Sequence, residues 1–385
     1  MSALDRRADL MLQGAGSAHL TEADEVLEPL FTRLTLRDAA NVSPPSYILQ
    51  DLIPSGHVTL LGGHGGAGKS QLGLTLAAHC AAGREWASRP MAKRRAVFVS
   101  LEDPADLTLH RLRKIVTAYG LPPDQVEGGL EILDGSGGDT FLAYEDAFEG
   151  RRTLRPHYAM EELHEAVSGA GLVVVDNASD AFLGNENDRR QVRTFMRMLA
   201  GIARANDGAV LLLAHIDKQA ARNGSGGNSY SGSTAWHNSA RSRMALLNDQ
   251  AGVRVEHEKL NVGRKQEALQ LHWTDNGVLM PATRFQIEQD ITVHERSDDE
   301  VVIGALRRAW ASGSTVNTTT ASAFSAAKCL EPYLPQGFLL GGGARRVNAS
   351  LVRMQERGEI AREAFRTDNR KARERWVLAQ KGRAE

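Results

Sequence analysis

One stretch constrains the fold of this 385-residue chain more than any other, a glycine-rich loop between an apolar run and a helical pattern. Residues 60–72 read LLGGHGGAGKSQL, with five glycines within seven residues. Glycine costs about 0.5–1 kcal/mol relative to alanine in regular structure, so this density indicates a backbone that another molecule must approach closely. Residues 63–70 fit the pattern G-x-x-x-x-G-K-[ST], which between a strand and a helix is typical of a phosphate-binding loop.

The loop predicts a nucleotide site with defined roles for its residues. Successive backbone N–H groups converge on the phosphates, and the N-terminus of the following helix adds its dipole. Lys69 is expected to neutralise the β- and γ-phosphates, and Ser70 to bind Mg²⁺. The predicted cofactors are therefore ATP and Mg²⁺. The predicted nucleotide-binding residues of the loop are Gly63, Gly65, Gly66, Ala67, Gly68, Lys69, Ser70 and Gln71.

Short apolar runs alternate with amphipathic stretches along the first two-thirds of the chain. Near-continuous apolar strands separated by helices predict an α/β fold with a mainly parallel sheet covered on both faces. Further strands are predicted after residue 242, in RMALL, VRVEHEKLN and EALQLHW. Their pattern resembles antiparallel hairpins more than parallel strands. The five buried strands are predicted at residues 57–61, 96–100, 130–133, 172–176 and 209–215.

Polar residues at the ends of three predicted strands mark the site's chemistry, because ligands bind at the carboxyl edge of such sheets. Asp176 ends LVVVD and occupies the position of an acid that binds Mg²⁺ directly or through water. Glu102 follows AVFVSL and is a candidate to orient or deprotonate the attacking water, whereas its neighbour Asp103 has a helix cap as the alternative role. His215 ends AVLLLAH and is a candidate sensor of the γ-phosphate.

Residues 218–233 are rich in Gly, Ser and Asn, have almost no apolar anchor and predict a mobile loop. Two arginines follow it, Arg241 and Arg243. Either is a candidate arginine finger, which can be supplied by a neighbouring subunit, and either could instead be an ordinary surface charge.

The sequence predicts three regions: an N-terminal helical segment at 1–45, an ATPase domain at 46–290 and a C-terminal domain at 291–385. The last 85 residues contain 15 Lys and Arg against 7 Asp and Glu, a net charge of +8, while the first 300 carry −9. Helical patterns followed by a basic hairpin predict a winged-helix-like module. Its charge indicates contact with an anionic partner, and the alternative is that it is only a solvated charged face.

Composition excludes several classes of protein. No apolar run reaches the roughly 18 residues of a membrane span, and the N-terminus lacks the apolar segment of a secretion signal. The two cysteines, Cys80 and Cys329, cannot make a disulfide framework and lack metal-ligand spacing. We therefore predict a cytoplasmic protein with no membrane contact.

These motifs, in this order, resemble the RecA-like hexameric ATPases, especially the plasmid- and phage-type RepA replicative helicases related to DnaB. The likeness runs from SYILQ at residue 46 to VLMP at residue 281, and its specific points beside the loop are SLED, VVVDNASDAF, LLLAHIDK and SGSTAWHNSAR. The resemblance implies a RecA-like core in which Glu102 is the catalytic glutamate, Asp176 the Walker B acid and His215 a switch that reads the nucleotide state.

The same resemblance implies an assembly. Arg241 falls on a finger that acts on a neighbour's nucleotide, with Lys259 and Asn261 reaching toward the same nucleotide. Residues 218–233 fall on a loop that touches single-stranded DNA in the central channel of a hexamer, and the C-terminal domain is a candidate dock for a replication partner.

Three functions remain open from the sequence. The first is a ring-forming DNA helicase or translocase, and the second a RecA- or RadA-like recombination or repair ATPase. The third is a nucleotide-switched regulatory adaptor. A finger acting in trans and a channel loop favour the first two. A small-molecule kinase is disfavoured, because no arginine-rich lid follows the expected strand.

Overall fold

The computed structural model describes residues 32–148, 151–215, 234–249, 252–320, 324–366 and 372–379. The chain divides into two compact units, Met1–Pro44 and Pro45–Glu385. The glycine- and serine-rich segment at 218–233 lies outside the described residues, so both its prediction as a loop and its contact with DNA stay predictions.

Within its described residues, 32–44, the first unit contains one short helix, α1 (Leu36–Ala39), none of whose residues is buried. Residues 1–31 lie outside the described ranges, so the N-terminal helical segment over 1–45 stays a prediction. A proline disfavours the α region for the residue before it, and Pro44 and Pro45 follow the helix closely.

Among the described residues, nine strands of the second unit form one sheet, in the order β14-β13-β12-β11-β3-β10-β8-β4-β5. The strands from β5 to β11 run parallel, and β12, β13 and β14 continue the sheet antiparallel to their neighbours. These strands are β3 (Val58–Gly63), β4 (Ala96–Ser100), β5 (Leu130–Asp134), β8 (Leu172–Asp176), β10 (Ala209–His215), β11 (Ser242–Asp249), β12 (Gly252–Leu260), β13 (Leu269–Trp273) and β14 (Leu279–Pro281).

The helices cover both faces of this sheet, so each face has its own apolar core. The central parallel strands are buried on both sides, which explains their unbroken apolar sequence. The α/β prediction with a mainly parallel sheet is confirmed. The helices are α2 (Lys69–Ala82), α3 (Ala105–Tyr119), α4 (Pro123–Glu127), α5 (Tyr158–Ala166), α6 (Ala178–Ala181), α7 (Arg189–Ala205) and α8 (Thr234–Ser239). No helix of the described ranges is both long and apolar enough to span a membrane.

Two smaller strand pairings accompany the sheet. Strands β1 (Tyr47–Leu49) and β2 (Ile53–Pro54) form an antiparallel pair before the phosphate-binding loop. Strands β6 (Ala143–Phe148) and β7 (Arg151–Pro156) form a hairpin, and β6 also pairs in parallel with β9 (Phe182–Leu183). The sequence did not predict this hairpin, because its mixed charged and apolar residues lack a clear period.

The C-terminal module has its own apolar core. It comprises the end of the long helix α9 (Arg284–Ala311), α10 (Ala326–Leu330), α11 (Gly343–Glu356) and the hairpin of β15 (Ile360–Arg366) and β16 (Ala372–Leu378). The segment after α9 pairs with β16, since Trp376 N–H donates to the Val316 carbonyl at 2.8 Å. Helices followed by a hairpin agree with the winged-helix-like prediction. Helix α9 runs through residue 290, where the sequence placed the domain boundary.

Candidate active site

The glycine-rich loop joins the end of β3 to the start of α2. Gly68 caps α2 with φ +101° and Gly66 has φ +74°, conformations that L side chains rarely adopt. A Cβ on Gly63 would lie 3.0 Å from both the Leu246 carbonyl oxygen and Lys69 Cγ. A Cβ on Gly65 or Gly66, by contrast, would meet no atom within 4 Å. The loop therefore needs glycine for its own packing and leaves bare backbone open on one side.

The ammonium group of Lys69 is held inside this loop. Its Nζ donates to the carbonyl oxygens of Gly63 at 3.0 Å and His64 at 3.1 Å. Lys69 is only 7% exposed. Burial lowers its pKa, and the nearby carboxylates of Asp176 and Glu102 oppose that shift. A cation buried beside open N–H groups fits a polyanionic ligand such as a triphosphate.

Asp176, at the end of β8, lies beside the loop and is 2% exposed. The Ser70 hydroxyl donates a hydrogen bond to its carboxylate. Burial raises the pKa of Asp176 to about 6; the Glu102 and Asp103 carboxylates add to the shift, while Ser70 and Lys69 oppose it. The structure thus brings together the hydroxyl and the carboxylate that the sequence predicted as ligands of Mg²⁺.

Glu102 follows β4 and is fixed by a residue that the sequence reasoning missed. The Asn177 side-chain amide donates to Glu102 Oε2 at 2.6 Å. Its carbonyl oxygen accepts from the N–H groups of Ser179 and Asp180 at the start of α6. Asn177 directly follows Asp176, and an amide after a strand-end acid was the signal available.

Asp103 does not cap the helix that follows it, so that alternative for Asp103 is wrong. Pro104 is the N-cap of α3, and the Ala105 N–H donates instead to Asp134 at 3.2 Å. The Asp103 carboxylate pairs with Arg111, two turns along the same helix. Asp103 therefore fixes an arginine at the edge of the site.

His215 ends β10 opposite Gly63 on β3, as expected for a residue at the carboxyl edge of the sheet. Its Nδ1 lies 3.5 Å from Lys69 Nζ. Burial lowers the pKa of His215, the Lys69 ammonium lowers it further, and Glu102 and Asp180 oppose the shift. This geometry favours a neutral imidazole beside the lysine.

A cavity of about 590 Å³ opens over these groups. Ten of its lining residues come from the loop, the three strand ends and Asp103: Gly65, Gly66, Gly68, Lys69, Ser70, Gln71, Glu102, Asp103, Asp176 and His215. The sequence did not predict the others, which are Leu107, His110, Arg111, Lys114, Trp273 and Gly277. The four residues on α3 follow helical spacing, a signal that was present. Trp273 ends β13 and Gly277 lies in the turn between β13 and β14, and β13 is separated from β3 by two strands in the sheet order, so no local sequence pattern links them to the loop.

Arg241 lies at the opposite edge of the sheet. Its N–H donates to the carbonyl of Val58, the first residue of β3, at 3.3 Å. At about 3.3 Å per residue, roughly 16 Å of strand separates that position from Gly63. Arg241 is exposed, and its own carbonyl accepts from the Asn261 N–H at 2.9 Å. The structure therefore does not bring Arg241 to this cavity.

Lys259 lies at the same edge as Arg241. Its Nζ donates to the carbonyls of His237 and Asn238, each at 3.2 Å. Arg243, the other candidate finger, is 2% exposed, and its Nε lies 2.6 Å from Glu258 Oε2. The structure distinguishes the two arginines, because Arg243 is buried in an ion pair and Arg241 faces solvent.

The donor set fits a nucleotide with Mg²⁺ better than a metal site made by protein alone. Within the described ranges, no group of three His, Cys, Asp or Glu side chains could hold a metal ion. Mg²⁺ is usually held by one or two carboxylates together with substrate phosphates and water. Ser70 and Asp176 beside an open loop match that pattern.

The fold and the loop define a P-loop NTPase. A family model described as an AAA domain matches residues 23–221, more than half of the chain, and the chain belongs to this family. It is thus a nucleotide-binding ATPase of the AAA domain type. No curated protein matches the sequence.

Proposed function

We propose that this ATPase is a ring-forming motor that acts on DNA, most simply a replicative helicase of the plasmid and phage RepA type. One observation carries the proposal. Arg241 and Lys259 lie together at the sheet edge opposite the cavity, and Arg241 is exposed. Neither can reach the nucleotide of its own subunit, whereas a head-to-tail neighbour could present its cavity to them. Head-to-tail contacts close into rings when the rotation between subunits allows it.

In this proposal each residue has a distinct chemical role. Lys69 and the loop N–H groups bind the triphosphate, and Ser70 and Asp176 would hold Mg²⁺, which supplies charge neutralisation for phosphoryl transfer. Glu102 orients or deprotonates the attacking water, held in place by Asn177. His215, beside Lys69, senses whether the terminal phosphate is present. Arg241 of the adjacent subunit stabilises the charge that develops on the transferred group.

Subunit mixing tests the assembly. Lys69→Ala should abolish hydrolysis and weaken nucleotide binding, and Arg241→Ala should abolish hydrolysis while leaving binding near wild type. Mixed together, the two variants should regain part of the ATPase activity, because some interfaces then pair an intact loop with an intact finger. Arg193→Ala, at an exposed arginine of α7, is the matched control and should keep full activity.

Two results would overturn the assembly. Absence of recovery despite demonstrated subunit exchange would place Arg241 outside catalysis in trans. Monomers in particle images with bound ATP analogue would do the same, and filaments would favour the recombination ATPase over the ring.

Action on DNA is tested separately. Wild-type protein with ATP should displace a strand from a forked duplex, and Glu102→Gln should bind ATP yet displace nothing. Hydrolysis that DNA does not stimulate, with no strand displacement on forks of either tail polarity, would favour the nucleotide-switched adaptor.

A further inference from the structure

The amino edge of the sheet, at the opposite end of β3 from the phosphate-binding loop, carries exposed positive charge. Arg241 directly precedes β11 at this edge, and Arg204 lies in the last turn of α7, just before β10 begins. Both arginines are exposed. The proposed motor gives Arg241 a role in trans and leaves Arg204 without one.

The segment that leads into β3 holds the two arginines close together. A Cβ on Gly56 would lie 3.8 Å from Arg204 Cγ, so the carbon chain of Arg204 lies beside Gly56. Two residues further on, the Val58 carbonyl accepts from the Arg241 N–H at 3.3 Å. His57 lies between these two contacts. Two arginines from different elements are therefore positioned by three consecutive residues.

The carboxylates next to this edge do not neutralise its charge. Asp207, which follows α7, lies 3.9 Å from the guanidinium of Arg94. Within the described ranges, neither Arg204 nor Arg241 forms an ion pair. Burial lowers the pKa of His57, and the positive charges of Arg241 and Arg204 lower it further. Both guanidinium charges thus act on one imidazole, and like charges held together favour a shared anion.

We infer that Arg204 and Arg241 together form an anion-binding site at the amino edge, and that its ligand is the terminal phosphate of the nucleotide held by the neighbouring subunit. An arginine presents its N–H donors in a planar fork that matches phosphate oxygens. Two such forks bind a phosphoryl group that one alone would hold from a single side. Arg204 therefore acts in trans beside Arg241. The inference rests on the head-to-tail assembly of the proposed motor.

A purely structural role for Arg204 makes different predictions. A cation in the last turn of a helix interacts favourably with the helix dipole. That interaction stabilises the subunit by itself and needs no neighbour. Its loss would lower the melting temperature of the variant, and an intact second subunit would not restore what was lost.

Substitutions at Arg204 in the full-length protein test the site. Arg204→Ala should lower ATP turnover about 10- to 100-fold, the range of one hydrogen bond to a charged group, while ATP affinity and melting temperature stay near wild type. Arg204→Lys keeps the charge without the fork and should have intermediate turnover. Arg197→Ala, at an exposed arginine two turns earlier on α7, is the matched control and should keep full activity.

Subunit mixing shows whether the two arginines serve the same neighbour. Arg204→Ala mixed with Lys69→Ala should regain part of the ATPase activity. The double variant Arg204→Ala/Arg241→Ala should do so as well, because the Lys69→Ala subunit then supplies both arginines to an intact loop. Arg204→Ala mixed with Arg241→Ala should show no recovery, since every interface lacks one of the two.

Several results would overturn the inference. Wild-type turnover in Arg204→Ala, while Arg241→Ala still complements Lys69→Ala, would remove Arg204 from the site and leave the proposed motor intact. A lowered melting temperature without recovery on mixing would assign Arg204 to the helix dipole. Wild-type turnover with weaker calorimetric binding of inorganic phosphate, or of single-stranded DNA, would make the ligand a free anion or a DNA phosphate. If neither arginine variant complemented Lys69→Ala despite subunit exchange, the assembly of the proposed motor would itself be contradicted.

Discussion

Asn177 links the catalytic candidate Glu102 to the backbone of the site. The carbonyl oxygen of its side-chain amide caps α6, and the NH₂ group of the same amide donates to Glu102. Asn177→Asp should keep the cap, since Asp is as good an N-cap as Asn, but it replaces the donor to Glu102 with a second carboxylate. Turnover should fall by up to about 100-fold, and the acid limb of the pH–rate profile should move to higher pH.

Steady-state ATPase rates from pH 5.5 to 9, together with nucleotide affinity and the melting temperature, check this prediction. Affinity and melting should stay near wild type for Asn177→Asp, whereas Asn177→Ala should lose stability as well as turnover. Wild-type turnover in Asn177→Asp would remove Asn177 from the positioning of Glu102.

Asp176 makes stability depend on pH in a defined direction. Burial raises its pKa to about 6 from an ordinary 3.8. The folded protein therefore favours the protonated carboxyl group. The contribution of this group to the free energy of unfolding is complete below pH 3.8 and is lost as the pH rises through 6. Without nucleotide, Asp176→Asn should be more stable than wild type at pH 8, by at most about 3 kcal/mol, and the difference should shrink toward pH 4. Denaturant melts across this range measure the effect.

Asp139→Asn, at an exposed carboxylate, is the control for that series and should show no such trend. A stability gain for Asp176→Asn that was the same at pH 4 and pH 8 would contradict the assigned titration.

At the scale of elements, the sequence predicted those strands and loops whose structure is determined by a local pattern of residues. The central strands are buried on both faces, so β8 and β10 are continuous apolar runs, and the loop before α2 has a fixed glycine spacing. The side chains at the carboxyl edge of the sheet followed from that topology. The edge position of Arg241 and the position of Trp273 beside the loop depend on the order and register of the strands in the sheet. Neither leaves a periodic signal in the sequence.

A buried carboxylate on α9 forms hydrogen bonds with arginines at the end of α11. Asp299 is 6% exposed and accepts from Arg353 at 2.6 Å and Arg357 at 2.8 Å. Burial raises the pKa of Asp299, but the hydrogen bonds from Arg353 and Arg357 outweigh that effect and lower it overall. Asp299→Ala should destabilise the C-terminal module by about 3 kcal/mol at pH 7, and the loss should diminish as the pH falls through the lowered pKa.

Denaturant titrations of full-length protein check this prediction at pH 7 and pH 3. Glu363→Ala breaks the exposed pair with Arg375 and should cost under about 1 kcal/mol. Equal effects of the two substitutions would contradict the special role of Asp299.

At the scale of the whole molecule, the basic charge of the C-terminal region is partly neutralised within the module. The net charge of +8 counts residues from 301, whereas α9 places Glu295, Asp298 and Asp299 against arginines of α11. Arg346 and Arg353 are engaged in this way, while Arg345 remains exposed on α11. The basic surface available to an anionic partner is thus smaller than the sequence count implies.

The remaining exposed arginines include Arg345 on α11, Arg366 on β15 and Arg373 on β16. If this module adds DNA affinity to the proposed motor, replacing these three by glutamine should weaken DNA binding uniformly across sequences. Each lost phosphate contact lowers the slope of log K against log salt by about 0.7–0.9, so the triple variant should lose about 2 to 3 from the slope. ATPase activity without DNA should survive, because the cavity residues all precede the module.

Fluorescence-anisotropy titrations at several salt concentrations measure the slope for wild type, the triple variant and a control. The control replaces Arg193 and Arg197, two exposed arginines of α7, by glutamine, which removes a similar charge from a different surface. A reduced slope in the triple variant and a near-wild-type slope in the control would assign DNA contact to the module. Equal slopes in all three proteins would remove DNA binding from the exposed arginines of α11 and the hairpin, and would leave a protein partner as the ligand of this surface.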